Sequence, residues 1–177
     1  EVRARYESRL GFRLGGKLVE RRVDVGAVVR KGQVLARLDA QDASLNAAQA
    51  EANRALAEAE AKRYRDLRAK NFVSQAVLDA KETALKTAAA QAGMARNQAA
   101  YTTLIADRDG VVTAIEAEAG QVVAAGQTVV RVAEGGEREI VIAVPESEVE
   151  KVRAATGFEV SLNSVPGRSW QGRLREL

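Results

Sequence analysis

The chain has 177 residues, of which 46% are hydrophobic but only 4% aromatic, and it carries a net charge of +3. It is too apolar for a disordered segment and too poor in bulky side chains for one thick globular core, so several small modules are expected. Cys and His are absent, which removes thiol nucleophiles, thiolate metal sites and imidazole bases together. Acids and bases are interspersed without a basic block carrying aromatics, so nucleic acid is not an expected partner.

In chain order, residues 3–9 read as a strand that joins a β module supplied mostly from the far end of the chain. Residues 16–39 (GKLVERRVDVGAVVRKGQVLARLD) are short β segments separated by turns. Gly26 ends the first turn and Gly32 the second, each where a tight turn calls for positive φ. The segment 34–38 has the β-branched and aliphatic residues of a strand.

From 42 to 101 the material changes. There is no Pro and one Gly, and Ala, Glu, Gln, Lys and Arg dominate, all strong helix formers. Two helices are predicted, over about 42–70 and 75–101. Helix two repeats small apolar groups every seven residues at Leu78, Leu85, Ala92 and Ala99, with Lys81, Ala88, Ala95 and Thr102 three residues after each. Helix one gives a weaker alternation at Leu45, Gln49, Ala52, Leu56 and Ala59. This is the pattern of an antiparallel coiled coil in which alanine allows close axial approach. At 1.5 Å per residue each helix spans roughly 40 Å and brings the chain back to within about 10 Å of its start.

Residues 110–133 (GVVTAIEAEAGQVVAAGQTVVRVA) then lie on 16–39 without a gap at a shift of 94 positions. Seven of the 24 aligned pairs are identical, among them Gly26/Gly120, Gly32/Gly126 and Gln33/Gln127. Gly120 and Gly126 therefore take the same turn positions. Neither half alone has the apolar surface for a core, so the two are expected to face each other about a pseudo-twofold axis as one small sandwich. After a turn at 134–137, residues 139–144 alternate as a strand. Pro145 opens a short helix ending near Gly157, and 158–162 and 170–174 are further strands.

A half-motif, a long helical hairpin, a matching half-motif and then a β segment resembles the HlyD-like membrane fusion proteins, and within them the periplasmic adaptors of RND (resistance-nodulation-division) efflux pumps. Residues 12–17, 23–26 and 31–33 look like the first lipoyl half of that family, and 101–104, 109–112 and 120–123 like the second. The resemblance implies a mixed α and β, elongated, multi-module fold. Its parts are a split lipoyl-like β-sandwich (10–40 and 102–134), an inserted antiparallel helical hairpin (41–101), and part of a β-barrel domain (1–9 and 135–177). It implies a periplasmic adaptor linking an inner-membrane RND transporter to a TolC-type outer-membrane channel, assembled as a ring of six. An adaptor of an ABC-type exporter or type I secretion system is the alternative. RND members of the family carry Arg, then Leu four residues on, then Ser seven further, at the tip that contacts the channel. Arg63, Leu67 and Ser74 fit that spacing. Ser74 also suits a helix N-cap, Leu67 a hairpin core and Arg63 a solvated helix surface.

No transmembrane run, signal peptide or lipidation cysteine is present. The chain opens at Glu1 and closes at Leu177 inside what reads as a strand, so a longer parent protein anchored to the inner membrane is expected. No cofactor, metal site or enzymatic activity is expected. True lipoyl and biotinyl domains carry a modified lysine in a tight turn between their halves, and here the hairpin replaces that turn. Asp107 and Asp109 come nearest to a carboxylate pair, but Asp109-Gly110 reads as a turn.

Overall fold

The computed structural model describes residues 2–162 and 167–177. Its strands and helices are β1 (Val2–Ala4), β2 (Glu7–Gly11), β3 (Gly16–Arg21), β4 (Val28–Val29), β5 (Val34–Leu38), α1 (Gln41–Ala69), α2 (Gln75–Ala100), β6 (Thr103–Ile105), β7 (Gly110–Ile115), β8 (Val122–Val123), β9 (Thr128–Ala133), β10 (Arg138–Ile140), α3 (Val149–Ala154), β11 (Phe158–Ser161) and β12 (Ser169–Gly172). They divide into two compact units, one from Ala4 to Glu137 and one from Glu1–Arg3 with Arg138–Leu177.

In the larger unit two four-stranded sheets, ordered β2-β9-β7-β4 and β6-β5-β3-β8, enclose one core. The repeats are interleaved, because each contributes strands to both sheets. Gly16 pairs with Val123 in one sheet, and Gly110 pairs with Val29 in the other. Leu18 faces Leu38 as Val112 faces Val132, with the same register irregularity following each. All of these pairs map onto one another by the 94-residue shift. Gly26, Gly32, Gly120 and Gly126 have φ of 88°, 83°, 96° and 79°, where a Cβ would be strained. The shared Gln has a physical role too. The side-chain oxygen of Gln33 accepts from the Arg30 amide and that of Gln127 from the Ala124 amide, both at 3.0 Å. Leu18, Val29, Leu35, Val112, Val123, Val129, Val130 and Val132 fill the core with Phe12.

The strand expected over 3–9 is two strands with different partners. β1 pairs with β10, whereas β2 pairs with β9, Glu7 opposite Ala133 and Arg9 opposite Arg131. Residues 7–9 therefore extend the sandwich rather than a separate β domain. β2 is the repeat mate of β6: Leu10 faces Val130 as Leu104 faces Ala36.

α1 and α2 form an antiparallel pair, bounded within a residue of the expectation. The predicted seam of α2 is the buried one: Leu78, Ala92 and Ala95 are buried, and Lys81, Leu85, Ala88 and Ala99 half-buried. The predicted seam of α1 is corrected. Leu45, Gln49, Ala52, Leu56 and Ala59 are exposed, and the inner stripe is Ala43, Ala47, Ala50, Arg54, Ala57, Ala61, Tyr64 and Arg68. With alanines filling the interface, the flanks carry ion pairs between the helices: Lys81 to Glu60 at 2.8 Å, Arg65 to Glu82 at 2.7 Å and Arg96 to Glu51 at 3.0 Å. Being half-exposed, such pairs contribute to register more than to stability. At the hairpin base the Arg13 guanidinium lies 4.9 Å from the centre of the Tyr101 ring. The Leu38 amide donates to the Thr102 carbonyl at 2.8 Å, so the strand that leads out of the first repeat is tied to the residue that follows α2.

In the smaller unit, β1 pairs with β10, and β11 with β12, antiparallel with Phe158 opposite Gly172. Of the strand expected over 139–144, the structure forms β10 at Arg138–Ile140. The helix expected after Pro145 is a 3-10 turn, Glu146–Glu148, running into α3. No helix among the described residues is long and apolar enough to cross a membrane.

Candidate interaction site at the hairpin tip

The tip is built by a short connection between two long helices. α1 ends at Ala69, and Asn71 takes the left-handed conformation with φ 58°. Asn is among the residues that tolerate that region best. The amide of Phe72 then donates to the Leu67 carbonyl and that of Asn71 to the Arg68 carbonyl, both at 2.9 Å. These bonds satisfy carbonyls that the helix end leaves open. The Arg68 guanidinium straddles the turn, donating to Asn71 Oδ1 at 3.0 Å and to Gln75 Oε1 at 3.3 Å. Gln75 in turn donates to Asp79 Oδ1 at 2.8 Å. α2 starts at Ser74, whose hydroxyl accepts from the Val77 amide at 3.4 Å.

Arg63 is exposed on α1 and Leu67 lies half-buried one turn further on. Ser74 caps α2, and among the described residues no hydrogen bond joins it to either. The three thus line the last turns around the tip without forming a bonded cluster. Sequence reasoning passed over Arg68, Asn71 and Phe72. The readable signal was Asn between two helices, a residue suited to a left-handed stop. Phe72 is 73% exposed. Lys81 sits beside this region, its ammonium 5.2 Å from the centre of the Tyr64 ring. Its hydrogen bond holds the Glu60 carboxyl below its ordinary pKa, and the carboxylate raises that of Lys81.

The sandwich carries an open hollow of about 590 Å³ lined in part by Lys31, Asp107, Arg108, Asp109 and Glu134. Its carboxylates are committed to structure, Glu134 by Arg108 at 3.1 Å. Burial pushes the Asp107 carboxyl up, but hydrogen bonds from Ser8 at 2.7 Å and Arg108 at 3.1 Å outweigh it and hold it below the usual range. Asp109 accepts from the Lys31 amide at 2.7 Å across the two repeats, a cross-link and not only the turn expected from its Asp-Gly pair. Among the described residues no group of three or more acidic, His or Cys side chains could hold a metal ion.

No protein-family model matches the chain. The nodulation protein NolF of Rhizobium meliloti (strain 1021) is 26% identical over 185 residues, spanning 96% of this chain and 50% of that protein. Among solved structures, a chimera of MacA and MexA containing the Pseudomonas aeruginosa MexA α-hairpin domain is 25% identical with a TM-score of 0.87, covering 97% of this chain and 63% of that one. A candidate efflux transporter from Bacteroides eggerthii DSM 20697 is 26% identical with a TM-score of 0.74, covering 99% and 54%. The membrane fusion protein Spr0693 of Streptococcus pneumoniae R6, at 22% identity and a TM-score of 0.74 over 99% of this chain and 82% of that one, shares the fold. The chain therefore spans about half the length of the curated relative it matches. Mixed sheets with a two-helix hairpin, in this order, make the chain similar to the membrane fusion and efflux adaptor proteins among these structures.

Proposed function

We propose that this chain is the periplasmic part of an adaptor that links an inner-membrane RND transporter to a TolC-type outer-membrane channel for efflux. The observation that carries the reading is the hairpin tip, where Arg63 and Leu67 lie in the last two turns of α1 and Ser74 caps the start of α2. In this reading the tip engages the channel and the β segment after Glu137 belongs to a β-barrel domain that engages the transporter. The interleaved sandwich is a lipoyl-like module (10–40 and 102–134) that stacks beside its copies in a ring of six. Such a protein works by contact and not by chemistry, so it needs neither cofactor nor catalytic group.

The test is a double substitution, Arg63→Ala with Leu67→Ala, in the full-length protein. Loss of co-purification with the channel, with ring formation and folding intact, supports the reading. Undiminished channel engagement and drug resistance would end it. Recovery of an ABC-type exporter instead of an RND transporter with the membrane-embedded protein would move the adaptor to the other transport class.

A further inference from the structure

We propose that Phe72 is the apolar anchor of the hairpin tip, and that it inserts into an apolar recess with an acidic rim on the channel partner. The inference rests on the reading above and names a contact residue and a partner chemistry that the reading does not contain.

Phe72 lies outside the buried core. It is the most exposed aromatic residue among those described, at 73%. Its amide closes the turn onto the Leu67 carbonyl, a bond that any residue but proline could make. Large apolar side chains displayed singly at the end of a structure are interaction candidates when they are held in place. Here the holding is explicit. Asn71 in the left-handed region sets the direction of the turn, Arg68 binds the Asn71 side chain, and Gln75 with Asp79 continues the network into α2. The backbone bearing the ring is ordered before binding, so less conformational entropy is lost on contact.

The electrostatic surroundings point to the rim. Between Ala61 and Leu78 the only acid is Asp66, against Lys62, Arg63, Arg65, Arg68 and Lys70. Arg65 is paired with Glu82, and Arg68 bonds to neutral side chains. Among the described residues Lys62, Arg63 and Lys70 have no salt bridge, and all three are exposed. A phenyl ring displayed at the end of a hairpin that carries exposed cations without salt bridges is complementary to an apolar pocket edged with carboxylates.

The experiment measures binding of the full-length protein to a purified TolC-type channel in lipid nanodiscs, with Phe72→Ala and Phe72→Leu alongside the wild type. Phe72→Ala weakens binding roughly ten- to thirtyfold, mostly through faster dissociation. Phe72→Leu stays within about threefold of wild type, and both variants keep the wild-type unfolding midpoint because the ring is exposed. Raising salt weakens wild type and Phe72→Leu alike. Phe72→Ala binding as tightly as wild type overturns the anchor while leaving the adaptor reading in place. Salt-independent binding overturns the acidic rim. A wild-type protein that does not bind the channel overturns the adaptor reading and the anchor together.

Discussion

The amide of Gly26 donates to the carbonyl of Val112 at 2.8 Å, and this bond runs from the first repeat to the second. Its repeat mate is the bond from Gly120 to Leu18 at 2.7 Å. The sandwich is thus held by reciprocal exchange between segments 94 positions apart. Glycines at equivalent places in it nonetheless face different surroundings.

Gly110 and Gly16 are the clearest pair. A Cβ on Gly110 would sit 2.4 Å from the Ala133 carbonyl oxygen, which is backbone, whereas one on Gly16 would meet only the Leu38 side chain at 3.4 Å. Gly110→Ala is expected to cost more than about 2 kcal/mol and Gly16→Ala less than about 1 kcal/mol. Thermal unfolding of the two variants side by side checks the difference. Equal losses would mean that the repeats are packed alike here.

The inner stripe of the hairpin can be tested by contrast. Leu78 is 9% exposed and Leu56 is 63% exposed. Leu78→Ala is expected to destabilise by about 2–3 kcal/mol, at the low end for a buried leucine. Leu56→Ala should stay within about 0.5 kcal/mol because alanine is also the better helix former. Helical circular dichroism on heating reads both.

Asn71, with φ 58°, should accept Gly with a change under about 0.5 kcal/mol and resist Val by about 1–2 kcal/mol, since a β-branched residue is disfavoured there. Arg68→Ala removes the bonds to Asn71 and Gln75 and should raise amide hydrogen exchange at 70–74 more than elsewhere in the hairpin. Uniform exchange in that variant would show that the guanidinium does not order the turn.

Acid should loosen the hairpin. The Lys81 hydrogen bond lowers the Glu60 pKa from 4.5, so the contribution of Glu60 is complete above that value and is lost as pH falls through the lower folded one. The Lys81 pKa is raised from 10.5 by Glu60, so its contribution is complete below that value and is lost as pH rises through the higher folded one. The midpoint of thermal unfolding should hold level between these limits and fall on both sides. In Glu60→Gln the fall below pH 4.5 becomes shallower, though Glu51, lowered by Arg54, keeps part of it.

Much of this architecture was readable because the repeat aligns without a gap and its turn glycines and glutamines have local jobs. The stripe of α2 was readable because its leucines fall in register with its buried alanines. α1 was misread for the opposite reason. Leu45 and Leu56, two of its three leucines, lie outside, while the inner stripe includes Arg54 and Arg68, whose head groups bond to neighbouring side chains. The place of residues 7–9 in the sandwich was not legible, although a strand over 3–9 was expected, because Leu10/Leu104 is the only identity β2 shares with its repeat mate. At the tip, Arg63, Leu67 and Ser74 were legible as a spacing, whereas the turn that displays Phe72 depends on a backbone conformation no spacing encodes.

Interleaving also sets a timetable for synthesis. Gly16 pairs with Val123 and Val29 with Gly110, so during translation the first repeat leaves the ribosome with its partners unmade. Helices form in microseconds from neighbouring residues, and α1 and α2 can zip together before residue 110 emerges. Only then does the nascent chain have both ends of its sandwich within reach. The hairpin would thus act as a built-in folding clamp that brings the two repeats together, and a protein with its hairpin cut out would have to replace that clamp with a short linker of matching span.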